Sequence, residues 1–325
     1  MAPKEPPNGP AVAGPAAIRF ERAADMVVDG HVEALRSLLR DDSDLARARS
    51  TRNHGATLLH YAAANGVEDE RQRTPANAVE IADLLIAAGA DINATAKFYG
   101  GGSGSTPLVG LVTSGHPNRA GLMVELVHAY ARSGQSLDGL DNDGFPMTLA
   151  LIFRHAHAAR ALAEAGARID NVALAAGVGR IDLVRAGVGV RGPSRPPSAD
   201  PGGLKSFRGV PRTPEETVLV ALHFAAIAGD DEVVRYLIDT GVNVNGTLSH
   251  DRTALHEAAW AGHADVVASL VGAGATADVR DTQFDATAVG WAAHGQREEI
   301  VRFLLDRAQV DPRERGSPER DSADA

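Results

Sequence analysis

The sequence predicts an all-α solenoid, with helix pairs stacked in one elongated array and joined by short β-hairpin loops. Three observations predict it. A helix pattern rich in small residues recurs at a fixed spacing, 33 residues from Leu222 to Leu255 and 34 from Leu255 to Val289. Each of these copies carries paired alanines, Ala225 and Ala226, Ala258 and Ala259, Ala292 and Ala293, small enough to let neighbouring helices approach closely. Hydrophobic residues make up 44% of the 325-residue chain but aromatics only 4%, so small aliphatic side chains carry the packing.

Taken in order, the first 16 residues are rich in proline, alanine and glycine and predict a disordered segment. They lack a basic region followed by an apolar one, so no signal peptide is expected, and the expected location is cytoplasmic. Gly30-His31-Val32-Glu33, followed by Leu35, Leu38 and Leu39, reads as the second helix of a capping pair. A copy of the pattern opens at Thr57-Leu58-Leu59-His60-Tyr61-Ala62-Ala63 and ends at Gly89-Ala90-Asp91-Ile92-Asn93. Another opens at Thr106-Pro107-Leu108, and a worn one at Pro146-Met147-Thr148-Leu149-Ala150 ends in Gly166-Ala167-Arg168-Ile169-Asp170. Val172 to Ala176 is a truncated copy, and the three clearest follow at Ala221, Ala254 and Ala288. Threonine ahead of a helix caps its free amides. Proline in the first turn loses no hydrogen bond. Val266, Val267 and Leu270 have helical spacing and bury a second helix, which Gly274 ends by tolerating a left-handed backbone. Residues 310–325 are charged and patternless, and predict a disordered tail.

The 33–34 residue period and the Thr-Pro-Leu-His-x-Ala pattern resemble the ankyrin-repeat family. The resemblance covers residues 17–309 in about eight repeats. It implies a fold and, by itself, no activity. It also implies that His60, His223 and His256 tie adjacent turns together by hydrogen bonds rather than act in catalysis. The N-terminal third further resembles a group of bacterial ankyrin proteins, in Ala48-Arg49-Ser50-Thr51-Arg52, Ala56 to Tyr61, Asn65-Gly66-Val67-Glu68, Tyr99-Gly100-Gly101 and Leu111 to Pro117.

The period breaks in three places. Leu59 to Leu108 is 49 residues, with an insertion at 67–77 between two helices and a further surplus at 97–105. Met147 to Val172 is only 25, and Val172 to Leu222 is 50, the surplus there being a Pro/Gly/Ser-rich loop at 191–216. The composition of 191–216 predicts a solvated excursion, and the flanking helices of 67–77 predict a packed one.

Several classes of chemistry are disfavoured. A net charge of −10 and the lack of a Lys/Arg run argue against nucleic acid. No apolar stretch is long enough to span a bilayer. With no cysteine there is no disulfide and no thiolate chemistry. Asp138 to Gly144 has no oxygen ligand at Gly139, where a calcium loop with Gly144 at its sixth position needs one, and reads as a turn between repeats. Tyr99 to Thr106 is glycine-rich but lacks the lysine of a phosphate loop, and reads as a hairpin tip. His155 and His157 stand two apart on a helix and are expected to face different ways. No metal and no cofactor is expected.

The repeat geometry that the resemblance implies points the two residues after each alanine pair into a concave groove. These are Ala64 and Asn65, Thr113 and Ser114, Ile152 and Phe153, Ile227 and Ala228, Trp260 and Ala261, His294 and Gly295. Trp260, Trp291 and His294 would form a partly aromatic wall, of the kind that anchors interfaces. The leading expectation is a scaffold that grips a partner protein there, with Asn65, Arg71, Thr113, Ser114, Phe153, Trp260, Trp291 and His294 as binding residues. The alternative is an enzyme or small-ligand binder whose pocket lies in repeats two and three under the inserted loops. His54 or His116 would then be the general base, Glu68 an acid or orienting group, Tyr61 a neighbouring catalytic group and Arg71 an anion holder.

Overall fold

The computed structural model describes residues 14–98, 103–140, 142–187 and 213–307. Most of the segments expected to be disordered (1–16 and 310–325), most of the 191–216 loop and the glycine-rich tip after Phe98 lie outside the described residues. The chain divides into two compact units, Met1–Gln135 and Ser136–Ala325.

The first unit stacks helix pairs. Helices α1 (Pro15–Asp29), α3 (Leu58–Ala62) and α5 (Pro107–Thr113) form one layer, and α2 (Val32–Asp41), α4 (Ala78–Ala87) and α7 (Met123–Ala131) form the other. A short helix α6 (Gly115–Arg119) links α5 to α7. A small hairpin, β1 (Ala96–Lys97) with β2 (Ser103–Ser105), precedes α5. Thr106 caps α5 by accepting the Val109 amide at 3.2 Å, with Pro107 in the first turn where no amide is missed. The 67–77 insertion is packed, as its flanking helices suggest. It forms a single 3-10 turn, Asp69–Arg71, and is pinned to α1: Arg73 pairs with Asp29 at 2.7 Å, and Asn77 donates to the Gly30 carbonyl at 2.9 Å.

The second unit repeats the plan. Helices α8 (Phe145–Ile152), α10 (Val172–Gly177), α12 (Pro214–Ala228), α14 (Ala254–Ala261) and α16 (Ala288–His294) stack as one layer. Behind them lie α9 (Ala156–Glu164), α11 (Ile181–Arg185), α13 (Asp231–Asp239), α15 (Ala264–Gly272) and α17 (Glu298–Arg307). Ala225 and Ala226 of α12, Ala258 and Ala259 of α14 and Ala288 and Ala292 of α16 are buried, and Val266, Val267 and Leu270 bury α15. Neighbouring repeats are also laced by side chains that satisfy helix-end carbonyls. His263 donates to Ile227 at 3.1 Å, Arg160 to Ala228 at 2.7 Å and Arg297 to Trp260 at 3.3 Å.

Two expectations need correction. The last residues assigned to the 191–216 loop are helical: Thr213 accepts the Glu216 amide at 3.2 Å and Pro214 opens α12, so cap and proline start the helix well ahead of the alanine pattern. His155 and His157 do not point apart, their rings being 5.9 Å from centre to centre. His155 is the residue capping α9 and lies outside helical geometry, so the rotation per residue of a helix does not separate them. Asp138 to Gly144 is the expected turn, closed by the Gly144 amide on the Asp138 carbonyl at 3.0 Å.

Candidate functional site

In the second unit, four rings run in a ladder along the first-helix layer. Phe284, on the loop before α16, meets Trp291 edge-on at 5.9 Å, Trp291 meets Trp260 at 5.7 Å, and Trp260 stacks on His294 at 5.1 Å. The ladder follows from the register. Trp260 and His294 are equivalent groove positions of successive repeats, so stacking α14 on α16 brings them together. Its ends are open: Phe284 is 65% exposed and His294 is exposed, while Trp260 is half-buried. Trp291 is 6% exposed, and its indole N–H donates to Asp281 at 2.8 Å. It supports the wall from behind rather than presenting a face. Phe153, at the end of α8, is a further exposed aromatic at 44%.

Beside this wall sits a buried charge group that sequence reasoning missed. Glu257 accepts two hydrogen bonds from Arg154, at 2.6 and 3.2 Å, and lies 3.5 Å from Arg252. Both guanidinium groups also lie over the Trp291 ring, at 5.1 and 5.6 Å. Burial pushes the Glu257 carboxyl up, but the two arginines outweigh it and hold it below the usual carboxylate range. One signal was available: Glu257 is the only charged residue in the α14 segment Ala-Leu-His-Glu-Ala-Ala-Trp-Ala, amid residues that spacing buries.

In the first unit, four of the residues proposed for catalysis or anion binding converge. Glu68 Oε1 receives Arg52 at 2.6 Å, His54 Nε2–H at 3.3 Å and the Tyr61 hydroxyl at 3.4 Å. Arg71 spans Glu21 at 2.5 Å and Asp25 at 2.7 Å on α1. Burial raises both Glu21 and Glu68. Hydrogen bonds from Arg71 and Arg52 to the former, and from its own amide and His54 to the latter, bring each below its ordinary value. Burial, then Glu68, pushes the Tyr61 hydroxyl up to about 12. His54 Nδ1 accepts the Ala56 amide at 3.0 Å, so both ring nitrogens are engaged. Glu21 and Arg52 complete the cluster and were not anticipated.

The family comparisons follow this geometry. A model described as "Ankyrin repeat" matches residues 54–97, and one described as "Ankyrin repeats (3 copies)" matches residues 212–283. Both stretches carry ankyrin repeats. No curated protein matches it. The ankyrin histidines do what the resemblance implies. His60 donates to the Ser105 carbonyl at 3.1 Å, His223 to Gly246 at 3.2 Å and His256 to Ala286 at 3.3 Å.

The remaining positions of the ankyrin groove divide into separate sets. Asn65 donates to the Thr113 hydroxyl at 2.8 Å, and the Ser114 hydroxyl to the Ala64 carbonyl at 2.8 Å; these are contacts between α3 and α5, and Asn65 and Ser114 are buried. His116 accepts from Arg119 at 3.3 Å, and burial and then Arg119 lower its pKa. Phe98 is also buried, against Gly66 and Gly110, so the ankyrin array of this unit is filled there by its own chain. Among the described residues, no group of three or more histidine or carboxylate side chains is placed to hold a metal ion, and no helix is long and apolar enough to cross a membrane.

Proposed function

We propose that this chain is a scaffold that grips a partner protein on the first-helix face of its second unit, with Trp260 and His294 as the anchor and Phe153 and Phe284 as flanking contacts. Ankyrin repeats are generally protein-binding scaffolds. The observation that carries the finer reading is the aromatic ladder, open at both ends and braced from behind by Trp291. Interfaces concentrate their energy in such aromatics, most of all where the rings are already held in place.

The alternative, a catalytic or small-ligand pocket around His54, Tyr61, Glu68 and His116, has less support. A general base needs an unoccupied nitrogen lone pair. His54 Nδ1 is occupied by a backbone amide and His116 Nδ1 by Arg119. The Glu68 cluster fits a hydrogen-bonded plug that fixes the 67–77 turn to α1.

A photo-crosslinking side chain at position 294 tests the scaffold reading against one at position 265, which is exposed on α15. The expected result is a partner captured from position 294 and not from 265. Equal capture from both, or capture from 265 alone, would overturn the proposal.

A further inference from the structure

The charge of the second unit is one-sided. Residues 213–307 hold fifteen Asp or Glu against six Arg and no Lys, and so carry nearly all of the chain's net charge of −10. Such a field repels a second copy of the chain and steers basic partners toward it. The arginines beside the ladder are already engaged. Arg154 and Arg252 are balanced by Glu257 and Asp281. Arg280 lies 3.7 Å from Asp285, and Arg297 donates to the Trp260 carbonyl at the Trp260–His294 end.

The Phe284 end differs. The His250 carbonyl accepts the Thr282 amide at 2.8 Å, which sets the tips of the 249–251 and 281–285 loops side by side. Asp251 and Asp285 are exposed on these tips, and Asp251 has no ion pair among the described residues. Phe284 stands on the same pair of tips, 65% exposed. Elsewhere in this unit, guanidinium groups cover ring faces. Arg154 and Arg252 lie over Trp291, Arg185 over Tyr236 at 5.8 Å and Arg307 over Phe303 at 4.5 Å. Phe284 carries no such group among the described residues. A ring face next to exposed carboxylates attracts a cation. Arginine suits it best, since its planar guanidinium stacks on the ring and donates to a carboxylate at once.

We propose that the Phe284 end of the ladder receives an arginine side chain from a basic segment of the partner, stacked on the Phe284 ring and paired with Asp251. The proposal rests on the scaffold reading and names the chemistry that the face selects. An acidic segment is repelled by the unit as a whole, and an uncharged one leaves Asp251 unused. Lysine matches the charge but lacks the planar group that stacks on the ring.

The test titrates the full chain, followed by calorimetry, with three amidated peptides: Ala-Arg-Ala-Arg-Ala-Arg-Ala and its counterparts with Gln or Glu in place of each Arg. The arginine peptide is expected to bind at least about tenfold more tightly than either counterpart, and more weakly as salt rises from about 50 mM to about 500 mM. Phe284→Ala and Asp251→Asn should each weaken it by at least about threefold with an unchanged melting temperature. Asparagine keeps the left-handed backbone that position 251 requires. Asp265→Asn, exposed on α15 behind the ladder, removes the same charge and should leave binding unchanged. Equal binding of the arginine and glutamine peptides, no binding of any peptide, or an equal loss in Asp265→Asn would overturn the proposal. A dimer of the chain that Phe284→Ala dissolves would assign the face to a second copy and overturn it too. So would binding that emerges only once the five Lys and Arg residues of 188–212 are changed to Gln, which would make the chain's own segment the occupant. A partner crosslinked from position 294 as strongly in Phe284→Ala and Asp251→Asn as in the parent chain would also overturn it, while leaving the scaffold reading standing.

Discussion

Arg154 and Glu257, 103 residues apart in the chain, meet in a two-pronged ion pair with both Glu257 oxygens engaged. Glu257 is 4% exposed, so its charge depends on this partner and on Arg252. Removing one member of a buried pair leaves the other uncompensated, at about 3–5 kcal/mol. Arg154→Met should therefore lower the stability of the second unit by an amount near the lower end of that range, since Arg252 remains at 3.5 Å. Urea unfolding measures it, and a loss below about 0.5 kcal/mol, the level of an ordinary surface change, would contradict the assignment.

Stability should fall in mild acid. Burial holds His60 down to about 3 and His223 down to about 4, and also lowers His256. The unfolded chain takes up these protons near pH 6.5 while the folded chain does not. The stabilisation is therefore complete above about pH 6.5 and is lost as pH falls toward the folded values. His60 and His223 each contribute a slope of about 1.4 kcal/mol per pH unit in that window. Glu21, Glu68, Glu257 and Asp281, all held below their ordinary values, add to the loss at lower pH. Urea midpoints should drop steadily between pH 6.5 and 4.5. A flat profile there would contradict the buried, neutral state of these rings.

Gly66 and Phe98 form a size-matched pair. Gly66 has φ +70°, and a Cβ there would lie 2.2 Å from the Phe98 ring. Gly66→Ala combines a left-handed backbone penalty of about 1–2 kcal/mol with overpacking of about 1–3 kcal/mol. In a Phe98→Ala background only the backbone part should remain. A double-mutant cycle by thermal unfolding checks this, and strict additivity would show that the ring does not press on Gly66.

The repeat was legible because its physical causes are local: capping threonines, a proline in the first turn and alanines at helix contacts all lie within one short window. The same register placed Trp260 against His294, since equivalent positions of neighbouring repeats must stack. The Arg154–Glu257 pair was not legible, because it requires the order and spacing of α8, α12 and α14 rather than any single window. Glu21 was missed for a related reason: α1 carries no repeat signature, so nothing in the sequence placed it beside Arg71. The four-membered polar set at His54, Tyr61, Glu68 and Arg71 was found because Glu68 and Arg71 lie in one insertion and His54 and Tyr61 stand shortly before it. His116, Asn65 and Thr113 were grouped with it on proximity of repeats alone; Asn65 and Thr113 bond to each other and His116 to Arg119.

The most direct test of the scaffold reading is Trp260→Ala, with partner retention by the full chain measured beside its melting temperature. Trp260 is half-buried and stacks on the exposed His294, so truncation removes the middle of the open ladder while Trp291 keeps its hydrogen bond to Asp281. The account predicts at least about tenfold weaker retention, the effect of losing an anchoring aromatic, with only a small drop in melting temperature. Unchanged retention together with a large drop in melting temperature would contradict it, making Trp260 a packing residue of the array.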